Sequence, residues 1–212
     1  MAARFNLGAD GWCDGALRYD SPHCDARPDP ADISLLVVHN ISLPGGRFGG
    51  PHVSDLFTGR IDYNADPSFA ELRGLRVSSH FFVRRDGRVI QYVSANDRAW
   101  HAGRSAFQGR DKCNDFSIGV ELEGSDSTPF SAEQYGALAA LTLALQQRYR
   151  LTDVQGHEHI APGRKTDPGP LFDWRNYNGK WAALLKEKAM AESGLVAAIG
   201  GLRFPKGLIQ SQ

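Results

Sequence analysis

The chain has 212 residues, 42% of them hydrophobic and 23% charged, so it can bury a core without disulfide or metal staples. Its 24 basic and 24 acidic residues cancel to a formal net charge of zero, which argues against nucleic acid as a partner. Three cysteines, Cys13, Cys24 and Cys113, are an odd and sparse set that makes a poor disulfide framework.

The first half of the chain predicts short strands separated by long loops. Residues 1–32 are rich in Gly, Asp and Pro and indicate an extended lead-in. Residues 33–40 form a continuous β-branched and apolar run, typical of a buried strand. Segment 41–75 is irregular apart from a short helix at "VSDLFTG", and its paired glycines make it a candidate lid. Residues 78–93 indicate two strands around an Asp-Gly turn, and residues 116–124 indicate a further strand.

The second half predicts two helices on either side of one more strand. Ser131 and Gln134 form a capping box for a helix that runs to about Arg150. The stretch "DVQGH" indicates a short strand, and Asp173 is suited to cap a last helix. Because strands and helices mix without a regular alternation, we expect an α/β single domain with a central mixed sheet flanked by helices.

Three residues are suited to hold a catalytic metal ion. His39 ends a buried strand, where side chains reach the crevice that sheet proteins use for ligands. His157 also follows a predicted strand, and Asp167 lies ten residues further on, between a threonine and a proline. A His/His/carboxylate set with an open fourth position is what a catalytic zinc ion requires. His159 is the rival ligand, because an extended chain would place His157 and His159 on the same side.

Three charged residues near these positions each allow two interpretations. Lys165 is either a solvated loop lysine or an ammonium group that faces a developing oxyanion. Glu121 and Glu123 alternate onto one face of the strand at 116–124. They are either solvated residues of an edge strand or, for one of them, a buried carboxylate with a raised pKa that accepts a proton.

Five motifs, met in order along residues 12–177, resemble the zinc-dependent N-acetylmuramoyl-L-alanine amidases. The motifs are long, numerous and therefore specific. They are "LLVVHNISLPGGRFGGP", "RVSSHFFVRRDGRVIQYV", "RAWHAG", "CNDFSIGVELEG" and "GHEHIAPGRKTDPGPLFDW". The resemblance implies an α/β fold like that of the peptidoglycan-recognition proteins, with a zinc ion at one end of the sheet. It implies His39, His157 and Asp167 as the zinc ligands and removes His159 from the ligand set.

The same resemblance assigns the catalytic groups. It implies Glu121, rather than Glu123, as the catalytic carboxylate, and Lys165 as the group that stabilises the transition state. The catalytic domain would span 33–177, between the lead-in and a C-terminal helix and tail at 178–212.

The implied reaction is hydrolysis of the amide that joins the lactyl group of 1,6-anhydro-N-acetylmuramic acid to L-alanine, in peptidoglycan recycling. Asn40 and Arg76 match positions expected to contact this muropeptide. Lys112 stands where the family carries arginine, so it keeps the charge but loses the bidentate fork for a carboxylate. Trp100 is either a wall of the substrate groove or a buried core residue.

The sequence also bears on where the protein acts and on its alternative functions. The N-terminal segment has no apolar signal-peptide core, and no stretch reaches the roughly 20 apolar residues that cross a bilayer. We expect a cytoplasmic monomer without a nucleic-acid or membrane partner. The alternatives are a module that only binds peptidoglycan, an amidase acting on the intact sacculus, and a regulatory sensor of muropeptides.

Overall fold

A computed structural model of the chain describes residues 5–191 and 201–205. Its strands are β1 (Asn6–Leu7), β2 (Cys13–Asp14), β3 (Leu17–Arg18), β4 (Cys24–Asp25), β5 (Leu35–Ile41), β6 (Phe81–Val83), β7 (Val89–Gln91), β8 (Arg98–Ala99), β9 (Ala106–Phe107), β10 (Arg110–Asp111), β11 (Ser117–Glu123) and β12 (Asp153–Gly156). Its α-helices are α1 (His52–Phe57), α2 (Ala132–Arg148), α3 (His157–Ile160) and α4 (Trp174–Ala191), with 3-10 turns at Pro67–Leu72 and Cys113–Asp115.

The centre of the fold is a mixed sheet with the strand order β12-β5-β11-β6-β7-β3 within the described residues. β12, β5, β11 and β6 run parallel, whereas β6 and β7 form the antiparallel hairpin predicted from the Asp-Gly turn. β5 and β11 are the long central strands, and the burial of consecutive residues in both fits strands that are covered on both faces. The predicted α/β single domain with a central mixed sheet and flanking helices is confirmed.

The two faces of the sheet have different cover, which decides where polar residues can lie. Leu36 and Val38 of β5 face a core shared with α2 and α4. Leu35 and Val37 point to the opposite face and pack with Phe116 and other residues of the 102–116 region. By the same alternation His39 belongs to this second face, away from the two long helices.

Local sequence signals account for the helices on the first face. Ser131 and Gln134 make the predicted capping box, and α2 ends at Arg148, two residues before the predicted end. The carboxylate of Asp173 accepts the backbone N–H groups of Arg175 and Asn176 at 3.0 Å, so it caps α4 as predicted. Among the described helices, none is long and apolar enough to cross a bilayer.

Segment 41–75 is more ordered than its sequence suggests. The helix predicted at "VSDLFTG" is present as α1, and Phe57 and Phe69 are fully buried against Phe82 of the sheet. The exposed part includes Gly45 and Gly46. The lid predicted for this segment stays a prediction for that exposed part.

The lead-in is integral to the fold, because β3 extends the central sheet beside β7 and Arg27 is buried. The Arg27 guanidinium donates to the carbonyl oxygens of Ala95, Asn114, Asp115 and Ser117 at 2.8–3.3 Å. A buried cation held by four carbonyl groups ties the lead-in to the segments on either side of the second face.

The described part of the C-terminal tail returns to the sheet. Arg203 makes a parallel bridge to Asp153 of β12 and a two-pronged ion pair with its carboxylate at 2.6 and 2.8 Å. Phe204 packs edge-on against Tyr177, with ring centroids 5.3 Å apart. Residues 192–200 and 206–212 of the predicted tail lie outside the described residues.

Candidate metal centre and catalytic site

The carboxyl ends of three adjacent parallel strands bring the site together. β5 ends near His39, β12 leads directly into His157, and β11 carries Glu121. Glu121 is the register partner of His39, so both side chains lie side by side on the face opposite α2 and α4. This edge of a parallel sheet is where α/β proteins place ligands.

The predicted metal ligands meet at one point. Nδ1 of His39 lies 3.1 Å from Nδ1 of His157 and 2.9 Å from Oδ2 of Asp167. Nδ1 of His157 lies 3.1 Å from the same Oδ2. Both histidines are buried, and Asp167 is partly exposed. Two imidazole nitrogens and one carboxylate oxygen therefore form a nearly equilateral triangle open on one side.

The outer nitrogens of both histidines also have partners. Nε2 of His157 lies 3.0 Å from the carbonyl oxygen of Ala102, and Nε2 of His39 lies 2.9 Å from Nδ1 of His101. When the outer nitrogens carry the protons, the inner Nδ1 atoms can give their lone pairs to a cation.

Burial and charge set the ionisation that a metal site needs. Burial lowers the pKa of His39 to about 4, against the hydrogen bond with Asp167, which raises it. Burial would raise the pKa of Asp167, but its hydrogen bonds with His157 and His39 outweigh burial and hold that pKa below its usual value. At neutral pH the site therefore combines a neutral His39 with an ionised carboxylate.

The donor set fits a zinc ion. A tetrahedral zinc with bonds of about 2.0–2.1 Å places its ligand atoms about 3.3 Å apart. The three atoms here are 2.9–3.1 Å apart, so small rotations of the side chains suffice to admit the ion. Three protein ligands leave the fourth position open, as in catalytic rather than structural zinc sites.

Glu121 is the unusual carboxylate of the site. It is buried in a central strand, so the interpretation of a solvated edge-strand residue is wrong. Its Oε2 is buried without a hydrogen-bond partner among the described residues. Burial raises the pKa of Glu121 well above its ordinary value, and the charge of Asp167 raises it further while Lys165 lowers it. A buried carboxylate without a partner is poised to take up a proton.

Glu123 lies on the same face as Glu121, but its carboxylate forms hydrogen bonds that stabilise the fold. Its carboxylate accepts the backbone N–H of Gly49 at 2.5 Å and that of Arg85 at 3.0 Å. These bonds join segment 41–75 to the hairpin. Glu123 therefore has its hydrogen-bonding capacity occupied where Glu121 does not.

His159 does not share the direction of His157. The chain turns into helix α3 at His157, so the extended-chain alternative, which put both histidines on one side, is wrong. Nδ1 of His159 accepts the backbone N–H of Gly156 at 2.9 Å, and its ring lies against Trp174 with centroids 5.5 Å apart. His159 therefore stabilises the start of α3 and is not one of the three residues of the triangle.

Two further predicted site residues are neighbours of the ligands in the sequence. Lys165 is exposed in the loop that carries Asp167. Asn40, next to His39, donates its side-chain N–H groups to Asp126 at 2.7 Å and to the carbonyl oxygen of Pro168 at 3.1 Å. Both bonds use the amide nitrogen, so the amide oxygen can accept a hydrogen bond from another donor.

Three predicted substrate contacts belong to the surface. Arg76 and Lys112 are exposed. Trp100 is half-buried and donates its indole N–H to Asp25 at 3.1 Å. Its ring stacks on His23 with centroids 6.2 Å apart, so a fully buried core role does not apply.

Sequence reasoning missed the residues behind the ligands. His101, Ala102 and Asn114 stand in loops without periodic signal, and their role depends on contacts between distant segments. The histidine in "RAWHAG" was the available signal, since a histidine between tryptophan and alanine that becomes buried needs a hydrogen-bond partner.

The comparison with known families agrees with this geometry. The family described as N-acetylmuramoyl-L-alanine amidase matches residues 29–170, more than half of the chain. The chain therefore belongs to the N-acetylmuramoyl-L-alanine amidase family, a family of hydrolases.

Individual relatives within this family are similar to most of the chain. The chain is 57% identical over 170 residues to the 1,6-anhydro-N-acetylmuramyl-L-alanine amidase AmpD of Citrobacter freundii, covering 79% of this chain and 91% of the relative. A crystal structure of a selenomethionine AmpD derivative superposes with a TM-score of 0.80 and 56% identity, over 82% of this chain and 98% of that one. The amidase AmiD from E. coli, solved with the substrate anhydro-N-acetylmuramic acid-L-Ala-D-gamma-Glu-L-Lys, gives a TM-score of 0.53 and 28% identity, over 88% and 72%.

The unpartnered Glu121 predicts a pH-dependent gain in stability for Glu121→Gln. Because burial raises the pKa of the folded carboxyl, the unfolded chain ionises first as pH rises, and the folded state loses relative stability. Without zinc, the free energy of unfolding of the variant should exceed that of the wild type by about 1–3 kcal/mol near neutral pH. The difference between the two proteins should become smaller toward about pH 4. Urea unfolding across this range, with chelator present, measures it. Glu187→Gln on the exposed face of α4 is the control, and the same pH trend in both variants would contradict the prediction.

Proposed function

We propose that this protein is a zinc-dependent amidase that cleaves the bond between the lactyl group of 1,6-anhydro-N-acetylmuramic acid and L-alanine. The observation that carries the proposal is the triangle of His39, His157 and Asp167 beside the unpartnered carboxylate of Glu121. The names of the AmpD and AmiD relatives support the substrate class. The reaction belongs to peptidoglycan recycling in the cytoplasm, and we propose a monomer as the active form.

His39, His157 and Asp167 would hold the metal through Nδ1, Nδ1 and Oδ2. A zinc ion bound there supplies a Lewis acid for the scissile carbonyl and lowers the pKa of a water molecule toward neutrality. Zinc is proposed over a redox metal because amide hydrolysis needs a Lewis acid and no electron transfer.

Glu121 would move the protons. Its side chain lies beside His39, within the face that the substrate must approach. As general base, its carboxylate takes a proton from the attacking water, and as general acid it returns that proton to the departing alanine nitrogen. Burial raises its pKa, which makes the ionised form a stronger base than an ordinary glutamate.

Lys165 would stabilise the negative charge that develops on the carbonyl oxygen. Its ammonium group is close enough to Glu121 and His39 to perturb the pKa of both. A fixed positive charge contributes most where water is excluded, as the buried side of this site provides. Lys165 is exposed, so its ammonium group is accessible to a bound substrate.

The substrate-binding groups would surround this centre. The amide oxygen of Asn40 can accept an N–H of the stem peptide beside the first zinc ligand. Arg76 and Lys112 are exposed cations for the carboxylates of the peptide, and Trp100 offers an aromatic surface to the sugar.

The proposal predicts zinc-dependent release of peptide. Purified protein incubated with anhydromuramoyl-tripeptide should liberate the free tripeptide, measured by chromatography, with zinc near one per chain. Removal of zinc with a chelator should abolish peptide release, and added zinc should restore it, because the proposed reaction requires the ion that the triangle would hold. Stoichiometric zinc with binding but no release would instead indicate a sensor or binding module. Release from intact sacculus alone would indicate a different substrate.

The proposal also predicts a charge requirement at position 165. Lys165→Ala should fold, bind zinc and lose about 10²–10³ in kcat, because an oxyanion donor is removed. Lys165→Arg should retain more activity than Lys165→Ala because it keeps the charge. Lys186→Ala, which removes an exposed lysine from α4, is the matched control. Near-normal turnover in Lys165→Ala would assign the lysine to the solvated surface.

A further inference from the structure

A dipeptide outside the ligand set touches both histidine ligands. His101 and Ala102 follow β8 in the loop toward β9. The His101 side chain lies 2.9 Å from Nε2 of His39, and the Ala102 carbonyl oxygen lies 3.0 Å from Nε2 of His157. Two ligands that are 118 residues apart in sequence therefore meet the same short segment on their outer side.

The Ala102 contact determines the tautomer of His157. A carbonyl oxygen only accepts hydrogen bonds, so Nε2 of His157 must carry the proton. In the neutral ring Nδ1 then keeps its lone pair for a cation, and this atom lies in the triangle, 3.1 Å from Oδ2 of Asp167. The same carbonyl also accepts from Arg164 at 3.1 Å, which fixes its direction.

The His101 contact supports the same tautomer for His39. When Nδ1 of His39 gives its lone pair to a metal ion, Nε2 carries the proton and donates it to Nδ1 of His101. Nε2–H of His101 then donates to the hydroxyl of Ser117 at 3.2 Å. The ring is held against β11 at Gly119, where an added Cβ would lie 2.5 Å from its Cγ. His101 is thus fixed by a hydrogen bond at one nitrogen and by contact with the strand.

One side chain holds the dipeptide itself. Oδ1 of Asn114 accepts the backbone N–H of His101 at 3.2 Å and that of Ala102 at 2.8 Å. The carbonyl oxygen of Asn114 in turn accepts from the buried Arg27 at 3.1 Å. Displacing the Asn114 amide would release both backbone groups at once, and with them both contacts to the ligands.

We propose that the His101–Ala102 dipeptide, held by Asn114, is a positioning element that fixes the tautomers of both histidine ligands and directs both Nδ1 atoms toward the metal. The inference rests on the metal centre of the proposed function. It assigns no catalytic step to these residues. Outer partners of this kind typically change metal affinity by about 10–100-fold when they are removed.

Paired variants separate positioning from general stability. Asn114→Ala removes the acceptor that holds the dipeptide, whereas Asn114→Asp keeps an oxygen at that place. His101→Leu removes the acceptor for His39, whereas His101→Asn offers an oxygen near the position of Nδ1. The probe is Zn²⁺ alone, with Kd measured by chelator competition and Tm measured on the zinc-free proteins.

We expect Asn114→Ala and His101→Leu to weaken zinc binding by about 10–100-fold, and Asn114→Asp and His101→Asn to recover most of the loss. Zinc affinity within about threefold of the wild type in Asn114→Ala and His101→Leu, with only Tm reduced, overturns the proposal.

A measurement on the wild type covers the case in which a variant fails to fold. Long-range ¹H–¹⁵N correlation of the zinc-free protein should show His157 protonated at Nε2, because this nitrogen faces the Ala102 carbonyl oxygen. A His157 ring that carries no proton at Nε2 overturns the proposal. Because this readout needs no metal, it stays decisive if zinc binding, and the proposed function with it, fails.

Discussion

The site depends on one constraint, which is that two buried imidazoles must present lone pairs to the same point. An imidazole in a dry environment loses water at both nitrogens, and each nitrogen then needs a partner. The carbonyl of Ala102 and the ring of His101 satisfy the outer nitrogens, so the inner ones are left to bind a cation together with the Asp167 carboxylate. Burial keeps His39 neutral, and the histidines keep Asp167 ionised. The order of strands supplies the rest, because adjacent parallel strands end at the same edge.

The same burial that tunes the ligands makes Glu121 costly. A carboxylate with an oxygen that lacks a partner weakens the folded state unless it is protonated or meets a cation. Glu123, two residues further along the same face, shows the alternative, since its carboxylate is used to hold Gly49 and Arg85. Two glutamates in one strand thus serve opposite purposes, one stabilising a loop and the other kept without a partner for chemistry.

Local and periodic features of the sequence were sufficient for most of the architecture. The buried runs of β5 and β11, the hairpin turn and the α2 capping box depend on neighbouring residues, so their prediction succeeded. His39 and His157 were within reach because each follows a predicted strand, whereas the family resemblance decided for Asp167 and against His159. Residues 101, 102 and 114 were not within reach, because their roles come from contacts across loops. The direction of residue 159 was mistaken because the switch from strand to helix at residue 157 carries no signal in "GHEH".

The most direct test is anomalous diffraction at the zinc absorption edge from crystals grown with Zn²⁺. We predict one strong peak between Nδ1 of His39, Nδ1 of His157 and a carboxylate oxygen of Asp167, on the side that faces Glu121. Such a peak would place the ion where the tautomers, charges and open coordination position converge. A peak that involves Nε2 of either ligand or the ring of His159, or no peak at the triangle under saturating zinc, would contradict it.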